Sequence, residues 1–220
     1  MSIKPRGDER PPGGAADMQR RLYLVRHAHH AGQGRIAGPE SPLTALGLQQ
    51  ARSLARRLRG IEFQALYTSP YLRALETARV LARALGMDVR VDDRLREWDA
   101  GAWTGLSAQE LESLPDGLGP ARDPGFAPPD GESAIDLRRR VQDVLDDLRR
   151  RHSEGNVLLV SHAGVLALMV FTLLGLPLDS WGRVAFVIDY ASLTVVEDSG
   201  PLPHPVLVRF NDTCHLRGLS

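Results

Sequence analysis

The sequence predicts a layered α/β fold built on a mostly parallel sheet, and three observations carry the prediction. Short apolar runs of strand length alternate with longer segments whose apolar residues recur at helical spacing, the pattern of a sheet covered by helices. Arg26-His27, Arg73 and His162 each stand just beyond a strand-like run, and open α/β sheets collect ligands at the carboxyl ends of their strands. A chain of 220 residues with 43% hydrophobic content can bury one substantial core.

Residues 1–20 hold Pro5, Pro11, Pro12, Gly13 and Gly14 among charges. With no apolar run, they are expected to form a disordered leader, neither signal peptide nor membrane anchor, and one domain then spans 21–220. Leu22-Tyr23-Leu24-Val25 suits a buried central strand and ends abruptly in Arg26-His27-Ala28-His29-His30. Glycine and proline crowd 31–42, after which Thr44 precedes Leu48, Ala51, Ala55 and Leu58 on one face of an amphipathic helix. Arg52, Arg56, Arg57 and Arg59 occupy its other faces and are assigned to solvent. Ala65-Leu66-Tyr67-Thr68 is the second strand. Ser69 as N-cap and Pro70 as first helical residue then open a helix with the stripe Leu72, Leu75, Ala78, Ala82 and Leu85, and with Arg73 off the stripe in the first turn.

A third strand is expected at 87–91. Residues 95–105 combine Trp98, Trp103, Gly101 and Gly105 with acids, the composition of an ordered loop. Proline and glycine recur so often over 115–131 that no regular element fits, and this segment is expected to be a substrate-facing lid. Asp130 is expected to cap a long helix with the stripe Leu137, Val141, Val144 and Leu148, whose Arg138, Arg139 and Arg140 are offset by Asp143, Asp146 and Asp147. The fourth strand, 156–160, ends in Ser161-His162-Ala163-Gly164. The apolar segment 163–174 is a buried helix, short of the ~20 residues a membrane span needs. Strands at 184–188, 192–196 and 206–210 complete the pattern.

Basic and acidic residues balance at 27 each. No global field therefore draws the protein to nucleic acid or an acidic membrane, and any anion site has to be local. The expected partners are small molecules, with a homodimer left open. The single cysteine, Cys214, excludes an internal disulfide framework and suits a reducing cytoplasm. Asn211-Asp212-Thr213 spells a glycosylation triplet, discounted for want of a secretory signal.

Two arginines and two histidines at the carboxyl ends of one sheet describe a phosphate pocket. The arginine fork binds the anion, an imidazole nitrogen can attack it, and the neighbouring positive charge keeps that imidazole neutral and nucleophilic. Glu97, beside Trp98, is a carboxyl partly withdrawn from water and so suited to work as a general acid.

In chain order, Arg26-His27, Ser69-Pro70 with Arg73, Glu97 followed by Gly101-Ala102-Trp103-Thr104-Gly105, and Ser161-His162-Ala163-Gly164 make the chain resemble the histidine phosphatase superfamily, also called phosphoglycerate mutase-like. Leu43-Thr44-Ala45-Leu46-Gly47, Gly131-Glu132-Ser133 and the terminal Asn211 to Leu216 segment extend the likeness over about 21–216. The resemblance implies a three-layer α/β/α sandwich with a mostly parallel mixed sheet. It also implies that His27 is phosphorylated, that Arg26, Arg73 and His162 bind the phosphoryl group, with His162 also catalytic, and that Glu97 donates a proton to the leaving oxygen. No metal or organic cofactor is expected, and a small phosphorylated metabolite is the implied substrate. Two departures stand out: Ala28 where most members have glycine, and His29-His30 where an acid and a serine or threonine are usual. His29, His30 and Arg35 are candidates for substrate contact. Mutases of the family generally carry a longer insertion between the glutamate and the second histidine than the 98–161 segment here. A phosphatase is thus favoured, with a phosphoglycerate mutase as the alternative.

Rival chemistries are weaker. His27, His29 and His30 could ligate a metal as in binuclear metallohydrolases, but no adjacent aspartate ligand is evident and the chain is shorter than the ~250 residues of a typical TIM barrel. A serine hydrolase built on Ser161 would need glycines where Leu159 and Ala163 stand. Gly32, Gly34 and Gly38 miss the dinucleotide spacing, and there is no Gly-Lys-Ser/Thr phosphate loop.

Overall fold

The structure, a computed structural model, describes residues 19–117, 119, 123–180, 183–199 and 204–219. The expected leader falls outside the described residues up to 18; its last member, Arg20, already belongs to the sheet. Six strands, β1 (Arg20–Arg26), β2 (Ala65–Thr68), β3 (Val89–Val91), β4 (Gly155–Ser161), β5 (Leu193–Ser199) and β6 (Val206–Asp212), form one sheet in the order β3-β2-β4-β1-β5-β6. β3, β2, β4 and β1 are mutually parallel, whereas β5 runs antiparallel to both β1 and β6.

Five helices are described: α1 (Ala45–Arg57), α2 (Leu72–Leu85), α3 (Ala108–Glu112), α4 (Ala134–Arg151) and α5 (Ala163–Leu173). The alternation of β1 explains the layers. Tyr23 and Val25 pack with Leu54 of α1, its C-cap Leu58, and Ala78 and Leu81 of α2, while Leu22 and Leu24 pack with Leu137, Val141 and Val144 of α4 and Val165 and Met169 of α5. Both faces are buried, so the strand reads as a continuous apolar run rather than an alternating one. This is the three-layer α/β/α sandwich expected.

Several local expectations give way. Ser69 does not cap α2, which starts at Leu72 after an extended Tyr71. Its first N–H is satisfied by tertiary contact instead, Leu72 N donating to Pro39 O at 2.9 Å. Asp130 does not cap α4, because its φ of 59° is left-handed and a cap needs extended backbone. Ser133 does so in a capping box with Asp136. Residues 184–188 join no strand of the sheet, since the edge of β1 they could pair with is taken by β5. The 115–131 segment is not a substrate-facing lid as far as it is described. Phe126 stacks on Trp103 and Pro129 O accepts from Ala102 N at 2.9 Å, so the segment braces the loop before it.

Candidate active site

The carboxyl ends of β1, β2 and β4 meet where parallel strands deliver consecutive loops to one edge. His27 N donates to Ser161 O at 2.9 Å, which locks the first residue beyond β1 against the end of β4. The chain then turns over α1: Thr44 N donates to His29 O at 3.1 Å, and the Thr44 hydroxyl caps α1 by accepting from Gly47 N. Gly47 is needed there because a Cβ would collide with the His29 carbonyl.

His27 is buried. Its Nδ1 lies 2.9 Å from Ala28 O, and a carbonyl can only accept, so Nδ1 carries the proton and the lone pair of the neutral ring sits on Nε2. Arg73 Nε donates to that Nε2 at 3.2 Å, while Arg73 Nη1 donates to Gly38 O at 2.7 Å. Burial first, and then the Arg73 charge, hold His27 well below the usual histidine range. Arg26 donates from Nη1 to Ile188 O at 2.6 Å and lies 3.8 Å over the Tyr190 ring, whose own ring stands 5.6 Å from His27. His162 is wholly buried 5.0 Å behind His27 and does not reach the wall of the cavity. Its Nε2 pairs with Ser69 Oγ at 2.8 Å, and burial chiefly keeps it well below the usual range too. Two buried nitrogens here, Arg26 Nε and His162 Nδ1, have no hydrogen-bond partner.

Glu97 faces this group from the loop after β3. Its carboxylate accepts from Trp98 N at 3.0 Å and Gly164 N at 3.4 Å. Gly164 leaves room for this contact, since a Cβ there would come within 2.7 Å of Glu97 Oε1 and push the carboxylate aside. The loop is braced from α4. Arg140 pairs with Glu132 at 2.6 Å, not with the aspartates expected to offset it, and donates to the carbonyls of Arg94, Arg96 and Glu97.

A cavity of about 660 Å³ opens over these groups, and Arg26, His27, Arg73 and Glu97 all line it. His30 and Arg35 line it as well, whereas His29 does not. His29 is turned away because its Nδ1 pairs with Thr44 Oγ1 at 2.8 Å and its N–H with Gln50. The three imidazoles of the cluster therefore do not converge, and among the described residues no group of three or more His, Cys, Asp or Glu is placed to hold a metal ion. Sequence reasoning missed Ser69 in its actual role, Tyr71 in the wall, Tyr190 under Arg26, and the Glu132–Arg140 brace. Ser69 and Glu132 had a signal, as parts of the Ser69-Pro70 and Gly131-Glu132-Ser133 motifs.

Comparison with known proteins agrees with this geometry. The family model described as histidine phosphatase superfamily (branch 1) matches residues 22–213. Phosphoserine phosphatase 1 of Hydrogenobacter thermophilus is 33% identical over 202 residues, covering 89% of this chain and 94% of that protein. A protein named probable phosphoglycerate mutase, from Enterobacter sp. (strain 638), is 38% identical over 205 residues, covering 83% and 94%. A solved structure of a mycobacterial glucosyl-3-phosphoglycerate phosphatase in complex with VO3 superposes with a TM-score of 0.79 at 30% identity, covering 87% of this chain and 99% of that one. With the matched residues running from the first buried strand to just past the last, the chain is an enzyme of the histidine phosphatase superfamily, branch 1.

Proposed function

We propose that the protein hydrolyses phosphate monoesters through a phosphohistidine on His27. The single observation that carries this is the fixed tautomer, which leaves the Nε2 lone pair on the cavity side, facing Arg73. The substrate's phosphoryl group displaces the Arg73–His27 contact, and Arg26 and Arg73 hold its oxygens, while His162, buried behind His27 and off the cavity wall, supports the ring from below. Nε2 attacks phosphorus as the P–O bond to the alcohol breaks, and Glu97 gives that oxygen its proton. The glutamate, now ionised, takes a proton from water as the water oxygen attacks phosphorus. The P–N bond breaks, inorganic phosphate leaves, and His27 and Glu97 return to their starting states. Neither step needs a metal, and activity is expected to persist in excess chelator. A small-molecule ester in the cytoplasm is the substrate under this proposal. The mutase alternative shares its name with one of the relatives above but fits the geometry no better than the phosphatase.

Incubation with a phosphoryl donor is expected to label His27 with an acid-labile, alkali-stable adduct. Label that survives in His27→Ala overturns the proposal.

A further inference from the structure

The groups placed to hold a phosphoryl group account for little of the cavity. Its 660 Å³ falls in the ~300–1,000 Å³ range of clefts that enclose drug-sized ligands. Much of the wall is carbon, supplied by Ile36, Pro39, Trp98, Leu137, Phe171 and Phe186. The Trp98 indole N–H is already donated to Glu132 O, so the ring offers the cavity only its apolar surface.

The cations on that wall are committed. Arg26 and Arg73 belong to the phosphoryl end, Arg35 is paired with Glu110 at 2.9 Å at the exposed rim, and burial disfavours a charge on the His30 ring. Asp99 also lines the cavity and repels a second negative charge. A carboxylate on the leaving group would thus find no uncommitted cation among the described residues, and an unpaired charge withdrawn from water is costly. An apolar group gains from the same wall.

We propose that the natural substrate is the phosphate monoester of an uncharged, apolar alcohol, aromatic or of medium chain length, seated against Trp98, Leu137 and Phe186. This rests on the phosphomonoester hydrolase function above and departs from the carboxylate-bearing esters named for several relatives. Phosphoserine and phosphoglycerate are expected to be poor substrates here.

The test is a series of n-alkyl phosphates from ethyl to hexyl, whose alcohols differ little in acidity, so that kcat/KM reports contact rather than leaving-group chemistry. A fully buried methylene is worth about three- to fourfold. For a partly open cavity, a rise of about 10- to 100-fold from ethyl to hexyl phosphate is expected. n-Pentyl phosphate is also expected to exceed 5-phosphooxypentanoate and 5-aminopentyl phosphate, its charged analogues, by at least about 10-fold. Val184 lines the same cavity and is 44% exposed, so Val184→Arg adds a cation without opening the core. That variant is expected to move the carboxylate-to-pentyl ratio about 10-fold towards the carboxylate. A flat or falling chain-length series, or preference for either charged analogue, overturns the proposal while leaving the hydrolase function standing. An unchanged ratio in Val184→Arg overturns the placement of the alcohol against this wall. Failure to turn over any ester, p-nitrophenyl phosphate included, brings down both.

Discussion

Replacing Gly164 by alanine tests whether the Glu97 carboxylate is held in place by the first turn of α5. Alanine is a better helix former than glycine by about 1 kcal/mol, so the helix itself is not expected to suffer. The new Cβ would lie 2.7 Å from Glu97 Oε1. Restoring ordinary contact at about 3.4 Å moves the carboxylate by about 0.7 Å, and a misplacement of ~1 Å can cost about 10²-fold in rate. Gly164→Ala is therefore expected to lower kcat/KM on alkyl phosphates by about 10- to 100-fold. Aryl phosphates, whose leaving groups need little protonation, should lose about threefold or less in the burst phase. Glu97→Gln should cost alkyl phosphates about 10²- to 10⁴-fold, or about 3 to 5 kcal/mol, and should accumulate labelled His27. Because both changes act through one carboxylate, adding Gly164→Ala to Glu97→Gln should cost less than about threefold more. Stopped-flow burst kinetics on paired substrates, with thermal melts of all four proteins, measure this. Equal losses on alkyl and aryl esters, or full additivity in the double variant, would refute the argument and make Gly164 a packing residue unconnected to the acid.

Two further outcomes concern the frame around the site. Glu132→Met strands the buried Arg140 guanidinium, which should cost about 3 kcal/mol in urea unfolding and lower alkyl-ester activity, with Glu132→Met/Arg140→Met recovering part of the stability; a loss under about 1 kcal/mol would refute the brace. His27 and His162 are held below the usual range of about 6.5, so as pH falls below that value the unfolded chain binds protons that the folded chain refuses. Stability should thus decline on acidification with a slope of up to about 1.4 kcal/mol per pH unit for each histidine, and a stability difference between wild type and His162→Asn that stays constant between pH 7.5 and 5.5 would refute it.

What the sequence made legible follows from where burial is strongest. β1 and β4 are covered on both faces, so each appears as an unbroken apolar run, and Arg26, His27 and His162 at their ends were visible as interruptions. Tyr190 was not legible, because it precedes β5 rather than following a strand, and strand direction leaves no mark on local periodicity. Residues 184–188 carry the apolar content of a strand, but pairing depends on a free sheet edge, which is a property of the whole fold. His29 and His30 look equivalent in sequence. Their opposite fates depend on which one faces Thr44 and Gln50. Asp130 and Ser133 are both good caps by type; Ser133 has Asp136 three residues on to complete a capping box, and Asp130 is held in a left-handed conformation.

The position of β1 in the sheet governs when the enzyme can exist. The strand lies near the start of the chain, yet its two neighbours are β4 and β5, drawn from residues 155–161 and 193–199. During synthesis it waits unpaired until residues 155–161 and 193–199 are made, an aggregation-prone interval for an apolar strand. Such distant pairing also slows folding relative to a chain of local contacts. Arg26 finds its carbonyl anchor at Ile188 and its aromatic platform at Tyr190 only once this last portion docks. Nascent chains that stop before β5 therefore carry His27 in an unfinished cage, and phosphatase activity waits for β5 to dock.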